Sequence, residues 1–164
     1  MASGKVMIFM GDGYGKSAAA LGIAMKRASE NDRVVIIQFL KGKGITDSEF
    51  TKRLEPEIKI FRFEKSEIDY MDRSPEEQEE AVVNIKNGLG FARKVLGTGQ
   101  CNLLILDEVL EVVNKGIISV DDLRELVESG IDTDIIITGS DMNVEVCKFA
   151  DKISEIGNVQ FKNF

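Results

Sequence analysis

Histidine is missing from all 164 residues of this chain, and so is tryptophan. The first absence is chemically sharp. It excludes a Ser-His-Asp triad, a histidine general base and any His-ligated metal or cobalt. Chemistry here falls to carboxylates, lysine, hydroxyls, backbone amides or a bound metal. Cysteine is scarce, with Cys101 and Cys147 alone. They lack metal-type spacing and read as buried thiols of a reducing compartment. No apolar run is long enough to span a bilayer, and "MASGKVMIFM" lacks the length and cleavage pattern of a signal peptide. A cytoplasmic protein is therefore expected. The net charge of −7 has the wrong sign for broad nucleic-acid or anionic-membrane binding, so neither is expected as a partner. Internal repeats, low-complexity tracts and linkers are absent as well. The length suits one domain spanning residues 1–164, able to bury a core without disulfide or metal staples.

What the chain does have is alternation. Short apolar runs read as strands at "KVMIFM" (5–10), "RVVIIQFL" (33–40), "IKIFRF" (58–63), "NLLILD" (102–107) and "DIIITG" (134–139), with a sixth candidate at "KISEI" (152–156). Most are nearly continuous in hydrophobicity, as in strands covered on both faces of a parallel sheet. "IKIFRF" alternates instead, which places it nearer an edge.

Helical patterns fall between these runs. One covers Ser17 to Ala28. A second starts at "SPEE", with Ser74 as N-cap, Pro75 in the first turn and Glu77 closing a capping box. Ala81, Ile85, Leu89, Ala92 and Val95 then recur at helical spacing, and Gly88 and Gly90 weaken the pattern. A third starts behind Ser119, with Asp122 three residues on, and a fourth runs from about Asn143 to Ala150. Strands alternating with helices argue for an α/β fold with right-handed crossovers. The polar stretch Lys41–Glu57 is a candidate segment over a site.

Two motifs carry chemistry. "GDGYGKS" sits between the first strand and the first helix, where open parallel sheets bind ligands. Gly11, Gly13 and Gly15 let backbone N–H groups turn toward phosphate oxygens, and the helix N-terminus adds its partial positive charge. Lys16 would meet the β/γ-phosphates, and Ser17 would place a hydroxyl on Mg²⁺. Met10 stands where the strict P-loop pattern has its first glycine. Asp12 sets a like charge near the phosphates, costing on the order of 1 kcal/mol if solvated. The second motif is "LLILDEV". Asp107 ends a buried strand in position to hold Mg²⁺, and Glu108 follows at once as a residue for metal, water or nucleotide.

With both motifs in order, the chain resembles the P-loop type corrinoid adenosyltransferases over about Lys5 to Ile156. "GDGYGKSAAALGIAMKRA" looks like that family's loop and first helix, which also lack the first glycine. "VVIIQFLKG", "LLILDEV", "KGIISVDDL", "IIITGSD" and "EVCKFADKISEI" follow in the family's order. The resemblance implies an α/β, P-loop NTPase-like (Rossmann-like) three-layer sandwich with a mostly parallel central sheet, in a homodimer. It implies transfer of the 5′-deoxyadenosyl group of ATP to a cob(I)alamin or cobyrinic acid diamide corrinoid, releasing triphosphate. An external reductase or other electron donor would supply Co(I).

Carried over residue by residue, the nucleotide site is Gly11, Asp12, Gly13, Tyr14, Gly15, Lys16, Ser17 and Ala18, with Lys41 as a further phosphate contact. Ser17, Asp107 and Glu108 would hold Mg²⁺, and Lys16 and Glu108 are the candidate catalytic residues. The chain also departs from the family. Tyr14 stands for a usual lysine, Ser17-Ala18 for Thr-Thr, and Ser140 for the arginine of "TGR". Lys26 and Arg27 are candidates to replace a basic residue of the family's first helix. The tryptophan-containing stretch that helps cover the corrinoid is missing, with Phe63, Tyr70 and Met71 as candidate substitutes. The basic tail after "GNVQFKNF" is missing too. Two alternatives stay open: an ATP-binding paralogue without transfer, and another P-loop NTPase or kinase.

Overall fold

Apolar runs with no polar face cannot leave either side in water, and the chain lays them side by side between helices. The computed structural model describes residues 4–12, 15–40, 45, 48–64 and 66–161. Its strands are β1 (Val6–Met10), β2 (Val34–Gln38), β3 (Ile58–Arg62), β4 (Leu103–Asp107), β5 (Asp134–Gly139) and β6 (Lys152–Glu155). They form a six-stranded sheet in the order β3-β2-β4-β5-β1-β6. Each of its pairings is parallel. Burial follows position. β2 and β4 are buried along their whole length, whereas the edges β3 and β6 keep exposed residues. The alternating "IKIFRF" is indeed an edge.

The helices are α1 (Lys16–Ser29), α2 (Glu49–Lys52), α3 (Pro75–Gly97), α4 (Val109–Asn114), α5 (Val120–Glu128) and α6 (Val144–Cys147). α1 covers one face, where Ala20 and Ala24 lie in one cluster with Val34, Ile36, Leu103, Ile105 and Ile136. Alanine at both positions lets the helix sit close to the strands. α3, α4, α5 and α6 cover the other face through residues such as Leu89, Leu110, Leu126 and Val146. This is the expected three-layer sandwich. Side chains alternate along a strand, so Gln38, Asp107 and Thr138 continue the α1 face.

The expected caps form. The Ser74 Oγ accepts from the Glu77 N–H while the Glu77 carboxylate accepts from the Ser74 N–H, at 3.2 and 2.8 Å. Ser119 and Asp122 repeat this at α5. Gly88 proves useful to α3 rather than weakening it. A Cβ there would stand 2.7 Å from Phe39 Cε1 and 3.2 Å from Phe63.

Three findings differ from the sequence reading. α4 had no sequence signal of its own, because "VLEVVN" is short and apolar and continues the run of β4. α6 ends at Cys147 rather than Ala150. In the stretch 41–57, residues 41–44, 46 and 47 lie outside the described residues. From Ser48 onward it forms the single capped turn of α2. Among the described residues, no helix is long and apolar enough to cross a membrane.

Candidate functional site

The carboxyl ends of β1, β5, β4 and β2 bring the loop before α1 and the "DE" pair together. β5 lies between β1 and β4, so the two motifs meet across it.

The loop begins with a tight turn. Met10 ends β1 in the core at 4% exposure, a place for a large apolar side chain. Gly11 follows with φ 131, and a Cβ there would fall 2.0 Å from the Ile156 carbonyl oxygen. That contact exists because Ile156 N–H donates to the Met10 carbonyl and draws the end of β6 over the turn. The Gly11 N–H donates to the carbonyls of Gly139 and Ser140, both at 3.2 Å. Gly11 thus shapes the floor of the loop with an amide that is already engaged. Asp12 and Ala18 are exposed. Gly13, Tyr14 and Lys41 lie outside the described residues.

Gly15 is the N-cap of α1, with φ 109 in a region that glycine reaches without cost. It offers no side chain to the first-turn amides, and that turn carries no acidic residue. The N-terminus of this 14-residue helix therefore has neither a side-chain cap nor a neutralising charge, which suits an anion.

Lys16 and Ser17 each reach across the sheet. The Lys16 ammonium donates to Ser140 Oγ at 3.1 Å and lies 3.8 Å from a Glu108 carboxylate oxygen. Ser17 donates its hydroxyl to Asp107 at 2.9 Å. Asp107 is 3% exposed, and it also accepts from Thr138 Oγ1 at 2.7 Å and from the Gln38 amide nitrogen at 3.4 Å. Thr138 completes the bridge on β5, its oxygen accepting from the Glu108 N–H at 2.9 Å. Glu108 itself holds φ 65, a left-handed conformation that costs a residue with a Cβ roughly 1–2 kcal/mol.

Gln38 and Thr138 were not among the sequence candidates. Their signal is a polar residue ending an otherwise apolar strand on the face of the loop. Gln38 adds a feature that no sequence reveals. It is 1% exposed, and among the described residues its carbonyl oxygen is buried without a hydrogen-bond partner. The oxygens of Ser17 and Asp107, with this unmet acceptor on the same face of the sheet, fit a hard cation such as Mg²⁺ that keeps its waters, since it takes one or two carboxylates and completes its shell with phosphate and water. Among the described residues no group of three or more carboxylates or thiols forms a cage of its own.

Beside Lys16 lies a cavity of about 200 Å³ lined by Leu40, Asp69, Tyr70, Glu108, Lys115 and Ser140, among others. The amides of Ser140 and Asp141 donate to Glu111 at 2.9 and 3.4 Å, and Lys115 lies 3.5 Å from the same carboxylate. Tyr70 thus reaches the site. Phe63 packs on Phe91 at 5.9 Å between ring centroids, and Met71 is 68% exposed. The Arg27 guanidinium pairs with Asp32 and Asp134 toward the amino end of the sheet. Lys26 is exposed near the same end of α1.

The family model described as ATP:corrinoid adenosyltransferase BtuR/CobO/CobP matches residues 2–162. The corrinoid adenosyltransferase of Escherichia coli K12 is 24% identical over 158 residues, covering 96% of this chain and 78% of that protein. The corrinoid adenosyltransferase CobA of Salmonella typhimurium LT2 is 23% identical over 159 residues, with the same coverage. A KaiC-like protein of Pyrococcus horikoshii OT3 superposes with a TM-score of 0.57 at 15% identity, covering 98% of this chain and 74% of that one. That likeness concerns the fold alone.

Proposed function

The chain belongs to the ATP:corrinoid adenosyltransferase family, and from this premise we propose that it moves the 5′-deoxyadenosyl group of ATP onto a Co(I) corrinoid and releases triphosphate. The observation that carries the reading is the paired reach of α1. Lys16 leads to Glu108 and Ser140 while Ser17 leads to Asp107, so the cation for the leaving group and the residues for its metal lie side by side at the start of one helix.

The chemistry asks for no more than this frame. Co(I) is a strong nucleophile with its own electron pair. Its bond to C5′ forms as the C5′–O bond to triphosphate breaks, and that electron pair leaves on the triphosphate oxygen. Cobalt goes formally from I to III and no proton is transferred, which accords with a chain without histidine. The protein's part is to hold C5′ in line and to meet charge that grows on the phosphate oxygens. The uncapped N-terminus of α1 and the Lys16 ammonium do so from one side. Ser17 and Asp107 would hold Mg²⁺, which when bound neutralises phosphate charge.

Glu108 draws Lys16 toward the cavity where Tyr70 stands, and this is where the corrinoid edge would approach. The reading carries with it an external electron donor that supplies Co(I), a cytoplasmic setting and a homodimer.

The test is an anaerobic assay with Mg-ATP and chemically reduced cob(I)alamin, repeated with a cobyrinic acid diamide. Appearance of a light-sensitive adenosylated corrinoid is expected. Tight Mg-ATP binding without alkylation of either corrinoid would sink the reading and favour an ATP-binding paralogue, a role for which Ser140 in place of an arginine is the motivating feature.

A further inference from the structure

The Gln38 carbonyl oxygen is an anomaly in a well-satisfied site. Buried acceptors are nearly always hydrogen-bonded, and one left alone costs free energy. The other polar groups around it are engaged. Asp107 accepts from Ser17, Thr138 and the Gln38 nitrogen, and Thr138 both donates and accepts. The amide orientation is fixed by chemistry, because turning it would face a carbonyl oxygen to the Asp107 carboxylate in place of an N–H donor. The free oxygen is therefore the group that Gln38 presents away from Asp107. Gln38 sits at the carboxyl end of β2, on the α1 face of the sheet where Ser17 meets Asp107.

We propose that Gln38 is a positioning residue for the metal-bound nucleotide, its carbonyl oxygen accepting a hydrogen bond from a water in the Mg²⁺ hydration shell. The inference rests on the Mg-ATP reading above and adds to it a residue and a role. Mg²⁺ dehydrates reluctantly and keeps several waters when bound through few carboxylates. Such waters are strong donors that need acceptors, and a neutral amide oxygen satisfies one without adding charge. A glutamine here is also no base, so it can hold a water without drawing a proton from it. The design trades stability for function. The orphan acceptor is a cost to the empty protein that is recovered when the metal-bound nucleotide arrives.

This trade gives a test that does not depend on turnover. Gln38→Met keeps the length of the side chain and removes both polar atoms. Thermal unfolding of the metal-free, nucleotide-free protein is compared with ATP affinity by titration calorimetry, with and without Mg²⁺. The variant loses the long bond from the Gln38 nitrogen to Asp107 along with the orphan oxygen, so its empty form is expected to melt within about 2–4 °C of the wild type. Its ATP affinity without Mg²⁺ is unchanged, and the gain in affinity that Mg²⁺ brings is about five- to tenfold smaller. A Gln38→Met protein that melts more than about 5 °C lower when empty overturns the proposal, because the loss of one 3.4 Å bond from the Gln38 nitrogen to Asp107 does not account for it. So does a Mg²⁺-dependent gain equal to that of the wild type. A wild type with no Mg²⁺-dependent ATP binding would overturn the parent reading as well, so the two failures are distinct.

Discussion

Replacing Thr138 by valine keeps the shape of the side chain and removes one oxygen, and the structure says what that oxygen holds. It donates to Asp107 at 2.7 Å and accepts from the Glu108 N–H at 2.9 Å, in a residue with no exposure. Without it, a buried N–H loses its acceptor, which costs about 1–3 kcal/mol. Asp107 also loses one charge-assisted bond, of order 1.5–3 kcal/mol, while keeping Ser17 and Gln38 as donors. The two losses share one atom and are not additive, so a total of about 3 kcal/mol is expected. For a chain of this size each kcal/mol moves the melting temperature by about 2–4 °C, so Thr138→Val should melt roughly 6–12 °C lower. Thr138→Ser keeps the hydroxyl and should recover most of this. Thermal and urea unfolding of the ligand-free proteins are the assays. A Thr138→Val protein within about 0.5 kcal/mol of wild type would refute the bridge. A serine variant as unstable as the valine one would refute it equally.

Other outcomes follow from the same geometry. Glu108→Gly relieves the left-handed strain at φ 65, so its melting temperature should match or exceed wild type by a few degrees while adenosyl transfer falls. Glu108→Ala, which loses the same carboxylate beside Lys16 and keeps the strain, should melt a few degrees below Glu108→Gly, and equal melting would show that the strain is not there. Ser74→Ala removes the α3 cap at about 1 kcal/mol and should lower melting by roughly 2–4 °C, with Mg-ATP affinity unchanged by calorimetry. Cys101 offers a pH test. Burial is the main cause that raises its thiol from an ordinary 9.0 to about 11, against a smaller opposing contact with the Val35 backbone. Between those values the unfolded chain has lost the proton and the folded chain keeps it. Stability should therefore fall as pH rises from about 9 to 11, and Cys101→Ala should flatten that slope.

Much of this architecture could be read before the chain was seen folded, for identifiable reasons. The runs of β2 and β4 are apolar throughout because both faces are covered, and Ser74 and Ser119 mark helix starts by local chemistry that needs no tertiary context. Strand order was not legible. Nothing local says that β5 inserts between β1 and β4, and so Thr138 could not be identified as the link between the motifs. α4 was hidden because six mostly apolar residues after a strand look like more strand. Ser140 illustrates a different limit. Against the family it reads as a lost arginine, whereas the structure shows its hydroxyl accepting from Lys16. At Gly11 the sequence motif points to phosphate, and what only the folded chain shows is the end of β6 crossing the turn there.

The central claim is that the frame of Lys16, Ser17 and Asp107 serves the departure of triphosphate from C5′. The direct measurement is a single anaerobic turnover with Mg-ATP and reduced cob(I)alamin, with phosphorus NMR of the products beside optical detection of the adenosylated corrinoid. Intact triphosphate in equal amount to the adenosylated corrinoid is expected, with loss of both in Lys16→Ala. ADP and orthophosphate without a new cobalt–carbon bond would contradict it.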